Sequence, residues 1–328
     1  MNLLKRGLAL CLTMLLCLSL AACGGETPPE PAPEEPVVIR VGALKGPTGM
    51  GLAFLEEMGD EQVSYDLTIA ARPDQLTTAL AKGELDAVCI PANLAAVLYN
   101  RTQGGVATLG INTLGVLYIV ENGNAVNSIA DLAGKTIAAS GKNGVPEYAL
   151  RYLLEENGLD PDGDVIIDWK SEHSECVSAL ATGAATVALL PQPFVTVAQS
   201  RLPELREALD LTEEWAALDN GSALITGVTA ADGEFIEAHP QAVETFLEDY
   251  AASVEKVNGD PAAAAARIGE LEIFEAPVAE KALPRCNIVC LTGREMAEKL
   301  SGYLQVLFEA DPEAVGGAMP GEEFYFGA

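Results

Sequence analysis

The sequence predicts an α/β fold of two Rossmann-like lobes joined by two hinge strands. The first observation is an internal repeat, because "QLTTALAKGELDAVCIPANLAAVL" from Gln75 lies over "ECVSALATGAATVALLPQPFVTVA" from Glu175 without a gap. In both copies the pattern predicts a helix that ends at a glycine, Gly83 or Gly183, followed by a short strand that stops at a proline. These strands are apolar throughout, which is typical of parallel sheets.

The repeat extends upstream of these segments. The predicted strand 37–43 and its glycine loop "LKGPTGMG" resemble the predicted strand 136–139 and its loop "SGKNGVPE". A helix is predicted after each loop, over 50–59 in the first copy and over 148–158 in the second. Each copy therefore has the order strand, loop, helix, strand, helix, strand, loop, helix. Two such copies predict two lobes.

Two strands are predicted to cross between the lobes. Strand 111–121 leads out of the first lobe and strand 222–231 leads back, so lobe one comprises 37–116 and 222–328 and lobe two comprises 117–221. The C-terminal part of lobe one is predicted to be largely helical. Two crossing strands form a hinge, and the motion that such a hinge permits is closure around a ligand.

The N-terminal segment predicts export. Residues 1–22 have a basic start and an apolar core, as a signal peptide does, and Leu20-Ala21-Ala22-Cys23 resembles the bacterial lipobox, in which the cysteine is acylated. An ordinary signal peptide or an uncleaved anchor is the alternative. Residues 23–36 then form a lipidated cysteine and a Pro/Glu-rich tether. We therefore expect a lipid-anchored protein on the extracytoplasmic face of the cell membrane.

The charge of the chain limits its partners. The 328 residues include 48 acidic and 19 basic side chains, for a net charge of −29. Without Lys5 and Arg6 the mature chain has 17 basic residues and a net charge of −31. Such an excess argues against nucleic acid as a partner and favours a solvated surface that keeps an exported protein soluble.

The candidate binding residues follow the predicted strands. Ligands of open parallel sheets bind at the carboxyl ends of strands, near helix N-termini whose free N–H groups suit acceptor-rich groups. This rule selects the segments 45–50, 72–74, 91–93, 140–146 and 191–193. An alternative for each polar residue is a purely local role, such as capping its own helix. The residues selected as ligand contacts are Gly46, Thr48, Gly49, Asn93, Ser140, Lys142, Asn143, Gly144 and Gln192.

Other chemistry has less support in the sequence. Gly134-Lys135-Thr136 lacks the earlier glycine of a nucleotide-binding P-loop, and residues 46–51 do not match the dinucleotide fingerprint. His173 near Cys176 leaves open a metal pair or a solvated helix end. Cys286 and Cys290 leave open a zinc site, a disulfide or two buried thiols, while Cys89 is expected in the core. No metal or cofactor is predicted.

Several motifs together resemble one family. They are "VGALKGPTGMGLAFL", "LTTALAKGELDAVCIPANLAAVL", "DLAGKTIAASGKNGVPEYALRYLLEENGLDPDGDV", "HPQAVETFLEDYAASVEKVN" and "GGAMPGEEFYF". The chain resembles the solute-binding lipoproteins of bacterial ATP-binding-cassette (ABC) importers, in the group for thiamine pyrimidine precursors, alkanesulfonates, taurine and nitrate. The resemblance implies the periplasmic binding protein-like II fold and a monomer. It also implies a small polar or anionic solute clamped between the lobes, and delivery to a permease with its ATPase subunit.

The resemblance also implies further contacts with the solute. It adds Asn112 and Thr113, and the segment 283–289 adds Arg285 and Asn287 as polar residues inside an apolar stretch. Arg285 has as its alternative a helix cap or a surface ion pair. The sequence departs from members that stack aromatic precursors, because Trp169 and Trp215 are expected in acidic, loop-like surroundings.

Three functions are compatible with the predicted fold. A non-catalytic solute-binding lipoprotein is preferred. An enzyme on the same bilobal scaffold is the first alternative, although two histidines leave few candidate bases. The second alternative is a sensory lipoprotein that binds a ligand without serving a transporter.

Overall fold

A computed structural model describes residues 36–328. The predicted signal peptide, the lipobox with Cys23 and nearly all of the tether lie outside the described residues. Within 36–328, no helix combines the length and the apolar character needed to cross a bilayer.

The described chain alternates strands and helices over most of its length. The strands are β1 Val37–Leu44, β2 Val63–Ala70, β3 Ala87–Pro91, β4 Val106–Leu114, β5 Leu117–Glu121, β6 Thr136–Ser140, β7 Ile166–Lys170, β8 Val187–Pro191, β9 Arg206–Asp210, β10 Ile225–Asp232 and β11 Ile288–Thr292. The helices are α1 Pro47–Met50, α2 Leu55–Met58, α3 Pro73–Ala81, α4 Ala92–Thr102, α5 Val145–Glu156, α6 His173–Ala181, α7 Phe194–Arg201, α8 Leu211–Ala216, α9 Gly233–Ala238, α10 Pro240–Gly259, α11 Pro261–Glu270, α12 Ala276–Ala282 and α13 Gly293–Ala310. Single 3₁₀ turns occupy Ile129–Leu132, Leu283–Arg285, Pro312–Val315 and Glu322–Phe324.

The strands form two sheets with the same internal order. One has the order β2-β1-β3-β10-β4-β11 and the other β7-β6-β8-β5-β9. In each sheet the first three strands are parallel, and the fourth, β10 or β5, is antiparallel to both of its neighbours. The predicted fold class of two α/β lobes is confirmed, and β11 adds an edge strand that only one sheet has.

The crossing strands are the antiparallel ones. The predicted strand 111–121 divides at Gly115 and Val116 into β4 of the first sheet and β5 of the second. The return strand, β10, pairs with β3 so that Gly227 lies opposite Pro91, while in the other sheet Leu117 of β5 lies opposite Pro191. Each crossing strand therefore begins beside the end of a parallel strand.

Local sequence explains where most helices end or divide. Gly83 and Gly183, predicted to end their helices, have φ of 67° and 72°, a left-handed conformation that glycine adopts without a steric penalty. The helical region predicted around 235–257 is two helices, α9 and α10, because Pro240 lacks the N–H that a continuous helix would need.

The sequence predicts one continuous helix over 50–59, and this prediction is wrong. The chain forms two short helices, α1 and α2, separated by a turn at 51–54. Ser253 of α10, a fully buried residue, explains the break, because its hydroxyl donates to the Gly51 carbonyl at 2.7 Å and accepts from the Phe54 N–H at 3.1 Å. The side chain thus replaces a backbone hydrogen bond inside the core.

Removal of this hydroxyl gives the first prediction. Ser253→Ala leaves a buried carbonyl and a buried N–H without partners, and we expect the free energy of unfolding to fall by about 2 kcal/mol in chemical denaturation. Ser301→Ala is the control, because its hydroxyl bonds a carbonyl of its own helix at an exposed position. A Ser253→Ala loss no larger than that of the control would show that the hydroxyl does not hold the break.

Candidate functional site

A cavity of about 250 Å³ lies where strand ends of both sheets meet. The ends of β1 and β3 contribute from one lobe, and the end of β8, with the starts of α5 and α6, contributes from the other. The first residues of both crossing strands complete the wall. The lining residues are Leu44, Lys45, Gly46, Pro47, Thr48, Pro91, Val116, Leu117, Val145, Pro146, His173, Pro191, Gln192, Pro193, Phe194, Thr226 and Phe274.

Thr48 provides the polar group of the lobe-one loop. Gly46 has φ of 110° and turns the chain from β1 into α1, which brings the buried Thr48 to the cavity wall. Behind it lies Gly227 of β10, where any Cβ would clash with the Thr48 methyl group and with Asn112 Oδ1. Within residues 36–328 the Thr48 hydroxyl has no hydrogen-bond partner.

Gln192 provides an amide from lobe two. Its Oε1 accepts from the Thr196 hydroxyl at 2.9 Å and from the Thr196 N–H at 3.3 Å, while its own backbone N–H donates to Val116 at 2.9 Å. Because the side-chain oxygen is doubly occupied, the orientation of the amide is fixed. The Nε2 group, which has no partner in the described chain, remains as a donor for the cavity.

His173 and two phenylalanines form an aromatic wall. The His173 ring lies 5.1 Å from Phe194 between centroids, and Phe194 meets Phe274 edge-on at 6.0 Å. Nδ1 of His173 lies 2.5 Å from the hydroxyl of Ser140, a buried residue at the end of β6. Burial lowers the pKa of His173 to about 4, so the ring is neutral at pH 7.

The remaining polar groups of the lining also favour donation. Thr226 Oγ1 is buried and has no hydrogen-bond partner among the described residues. Lys45 lies exposed at the edge and is the only lysine or arginine in the lining, which contains no aspartate or glutamate. Three lining prolines at helix starts, Pro47, Pro146 and Pro193, lack the N–H that other residues would offer.

Three of the residues predicted from sequence thus line this cavity, namely Gly46, Thr48 and Gln192. Ser140 reaches it through His173. Gly49 is buried beside the Leu44 carbonyl, where a Cβ would be too close to that oxygen. Asn93 donates instead to the Ala314 carbonyl at 3.2 Å and so fastens the C-terminal segment.

The loop 140–144 turns most of its polar atoms away from the cavity. Lys142 and Asn143 are exposed, and the Asn143 N–H donates to Glu147 at 2.7 Å. Gly144 caps α5 in an extended conformation. Only the helix start that follows this loop, at Val145, lines the cavity.

The asparagines of the hinge region serve the scaffold. Asn112 donates to Thr229 at 3.3 Å and accepts from Thr113 at 2.9 Å, all within the first sheet. Asn287, with φ of 45°, donates to the Gly115 carbonyl at 2.6 Å and so holds the first crossing. These residues position the cavity wall without lining it.

Arg285 bridges the lobes outside the cavity. Its guanidinium lies 2.9 Å from Glu207 of β9, and its carbonyl accepts from the Tyr118 hydroxyl at 3.1 Å. Glu207 and Tyr118 both belong to the second sheet, whereas Arg285 follows α12 beside the first. The ion-pair alternative considered for Arg285 is therefore the one that the structure shows.

Four residues that line the cavity were not predicted from the sequence as ligand contacts, namely His173, Phe194, Thr226 and Phe274. His173 was detectable, because the repeat places it opposite Pro73 of a selected segment, and it likewise follows a strand end. Phe194 follows the selected segment 191–193. Thr226 begins a crossing strand, where no strand-end rule applies, and Phe274 comes from the non-repeating C-terminal region.

The expectation for the two tryptophans is wrong. Trp169 lies on β7, and Trp215 is fully buried in α8, where it packs against Tyr152 and Tyr303 at 4.7 and 5.6 Å between ring centroids. Its Nε1 donates to Ser222 at 2.8 Å. Trp215 is therefore a core residue, and the aromatic wall of the cavity comes from other residues.

The four cysteines within residues 36–328 have no partner there in a disulfide or a metal cluster. Cys89, Cys176, Cys286 and Cys290 are free thiols. Within the described range, no group of three or more His, Cys, Asp or Glu residues could hold a metal ion. Of the alternatives for Cys286 and Cys290, the structure shows two separate thiols, the first of them buried.

Solved structures share this architecture. An ABC transporter structure from Parabacteroides distasonis is 24% identical, with a TM-score of 0.75 over 88% of this chain and 98% of that chain. The periplasmic aliphatic sulphonate binding protein SsuA from Escherichia coli is 17% identical, with a TM-score of 0.70 over 86% and 96%. The periplasmic nitrate-binding protein NrtA from Synechocystis PCC 6803 is 14% identical, with a TM-score of 0.57 over 86% and 84%. These similarities support the fold.

Sequence comparison identifies the family. No curated protein matches the chain significantly. The profile described as "ABC transporter, phosphonate, periplasmic substrate-binding protein" matches residues 52–265, which is more than half of the chain. With the fold and the interlobe cavity in agreement, the chain belongs to this family of ABC-importer substrate-binding proteins.

Proposed function

We propose that this chain is a lipid-anchored binding protein that captures a small, acceptor-rich solute between its lobes and delivers it to an ABC permease with its ATPase subunit. The family supports capture and delivery, and the lipobox at Cys23 supports an anchor on the extracytoplasmic face. As a monomer, the lobe formed by 37–116 and 222–328 would close on the lobe formed by 117–221 around the two crossings.

The observation that carries the proposal is the donor character of the cavity. Gln192 offers its Nε2 group, which only donates, Thr48 offers a hydroxyl, and no lining side chain is a carboxylate. A solute that satisfies such a lining must present acceptors. The family description names phosphonate, and one structural neighbour binds aliphatic sulphonates, both of which carry acceptor oxygens.

The charge of the lining favours a single negative charge on the solute. Lys45 is its only lysine or arginine, His173 is neutral, and prolines remove amide donors at three helix starts. Desolvation of a charge that has no partner is costly, so a second negative charge would lack compensation. We therefore favour a sulfonate, a carboxylate or a singly ionised phosphonate over a dianion.

The rest of the wall suits a compact apolar or planar group. Phe194, Phe274, Val116 and Leu117 are apolar, and the volume of about 250 Å³ lies below the ~300–1,000 Å³ of drug-sized sites. At ~30 Å³ per water molecule it corresponds to about eight waters, so the solute would have roughly eight to ten non-hydrogen atoms.

Binding without catalysis is part of the proposal. The lining offers one histidine, whose Nδ1 is already bonded to Ser140, and no carboxylate to act with it. General acid–base chemistry needs a group that is poised to exchange a proton near the working pH. A neutral ring with a pKa of about 4 is better suited to hydrogen bonding than to proton uptake.

A set of solutes that share one ring tests the head-group chemistry. Benzenesulfonate, benzoate, phenylphosphonate, benzyl alcohol and benzylamine differ only in that group. At a hundredfold excess over Kd, a bound anion should stabilise the protein by ~2.7 kcal/mol and raise its melting temperature by about 5 °C. Benzylamine should give no shift. Stronger stabilisation by benzylamine than by the anions would refute the donor-lined cavity.

Threonine variants test which hydroxyls contact the solute. Thr48→Val removes a hydroxyl of the cavity lining while keeping the shape, and it should weaken solute binding in calorimetry by about 2- to 10-fold. Thr212→Val is the matched control, because the Thr212 hydroxyl is buried and unpartnered among described residues and does not line the cavity. Equal affinities for both variants and the wild type would exclude the Thr48 hydroxyl as a ligand contact.

Variants of the Arg285–Glu207 ion pair test whether this contact between the lobes contributes to solute binding. A partly exposed ion pair contributes ~0.2–1 kcal/mol, so Arg285→Gln should weaken solute binding by at most about 5-fold, and Glu207→Gln should add little to it in a double-mutant cycle. Small-angle scattering of the solute-free variant should show a more open molecule. A loss of 100-fold or more would instead mean that Arg285 contacts the solute directly, as the sequence predicted.

A further inference from the structure

His173 joins the cavity to a buried hydrogen bond that has no evident structural purpose. Its ring lines the cavity, while Nδ1 lies 2.5 Å from the hydroxyl of Ser140 at the end of β6. Ser140 is 2% exposed and does not itself line the cavity. The nitrogen left for a solute is Nε2, whose role depends on which ring nitrogen carries the proton.

The surroundings of Ser140 decide where that proton lies. Among residues 36–328, His173 Nδ1 is the only hydrogen-bond partner identified for the Ser140 hydroxyl. If Nδ1–H donated to the serine, the hydroxyl proton would be a buried donor without a strong acceptor, at a cost of ~1–3 kcal/mol. If the hydroxyl donates to Nδ1, that cost disappears.

Cys176 is the other polar neighbour of the serine. Burial raises the pKa of the Cys176 thiol, so the thiol remains protonated at pH 7. A protonated sulfur is a weak acceptor and does not replace Nδ1 of His173 as the acceptor for the Ser140 hydroxyl.

The charged groups near the start of α6 do not reverse the direction of the hydrogen bond between Ser140 and His173. Glu172 and Glu175 are exposed, and Glu175 accepts from the Ser171 N–H at 3.0 Å. Lys170 pairs with Asp168 at 2.6 Å. Burial alone accounts for the lowered pKa of the ring, so His173 is a neutral imidazole at pH 7.

We propose that Ser140 is a positioning residue that holds His173 as the Nε2–H tautomer, which makes the ring a hydrogen-bond donor that selects solutes carrying an acceptor atom at this wall. The acceptor can be a carboxylate, sulfonate or phosphonate oxygen, or an uncharged carbonyl. An amine or other group that presents only donors leaves Nε2–H unsatisfied and is disfavoured. The selection rests on the proposed function, whereas the tautomer does not.

The tautomer is measurable without any solute. The chain has two histidines, so multiple-bond ¹H–¹⁵N spectra of the labelled protein at pH 7 contain two ring patterns, and His239→Gln identifies the other ring. We expect His173 to be protonated at Nε2 only, and Ser140→Ala to show a mixture of tautomers. A ring protonated at Nδ1, or a charged ring, overturns the proposal. So does an unchanged tautomer in Ser140→Ala.

Two substitutions at His173 test the selection. Glutamine places its amide near the position of Nε2, and asparagine places it near Nδ1. With benzenesulfonate and benzoate as probes, His173→Gln should bind within about 3-fold of the wild type, while His173→Asn and Ser140→Ala should lose ~5- to 10-fold. Benzylamine should bind more weakly than the anions to the wild type, and that difference should shrink in His173→Asn.

The outcomes separate this inference from the proposed function. Equal binding by His173→Gln and His173→Asn overturns the selection while the capture of an acceptor-rich solute stands. A wild type that binds none of the ring-bearing solutes overturns the proposed head-group chemistry and the selection together, whereas the tautomer is decided by the spectra alone. Melting temperatures of the variants show whether each remains folded.

Discussion

The cavity depends on one topological constraint, which is the exchange of an antiparallel strand between the two repeats. Leu117 of β5 lies opposite Pro191, and Gly227 of β10 lies opposite Pro91, so each lobe receives its fourth strand from a crossing. Because the crossing strands start beside the carboxyl ends of the parallel strands, strand ends from both sheets converge on one space. The crossings between the lobes and the cavity wall are therefore built by the same residues, among them Val116 and Thr226.

The two repeats use this common frame differently. Lobe one contributes Thr48 from a glycine loop, and lobe two contributes His173, Gln192 and Phe194 from helix starts. In lobe two a protein partner fixes the orientation of each polar group, as Thr196 does for Gln192. Lobe one is enlarged by the C-terminal helices, and the segment among them supplies Phe274, which closes the aromatic wall against Phe194. The two repeats thus share a frame and differ in the residues that they place in the cavity.

The sequence was sufficient for the fold and for part of the site. The repeat and the strand-end rule depend on local patterns, so they predicted both lobes and found Thr48 and Gln192. They did not separate polar residues that face the cavity from those that serve the scaffold, because Asn93 and Asn287 look equally available until their carbonyl partners are known. Phe274 and the inserted hydroxyl of Ser253 depend on contacts between distant segments, which no local pattern encodes.

The acidic character of the chain explains why local geometry matters so much for an acceptor-rich solute. A net charge of −29 gives no long-range attraction for an anion, and at physiological salt such fields decay over ~8 Å. Recognition must then come from short-range donors in a desolvated cavity, where an unsatisfied partner on either side is penalised. Donors held by a second hydrogen bond, such as the Gln192 amide, need no reorganisation when the solute arrives. A neutral donor also has the advantage over a cation that its burial in the absence of solute costs less than the burial of a charge.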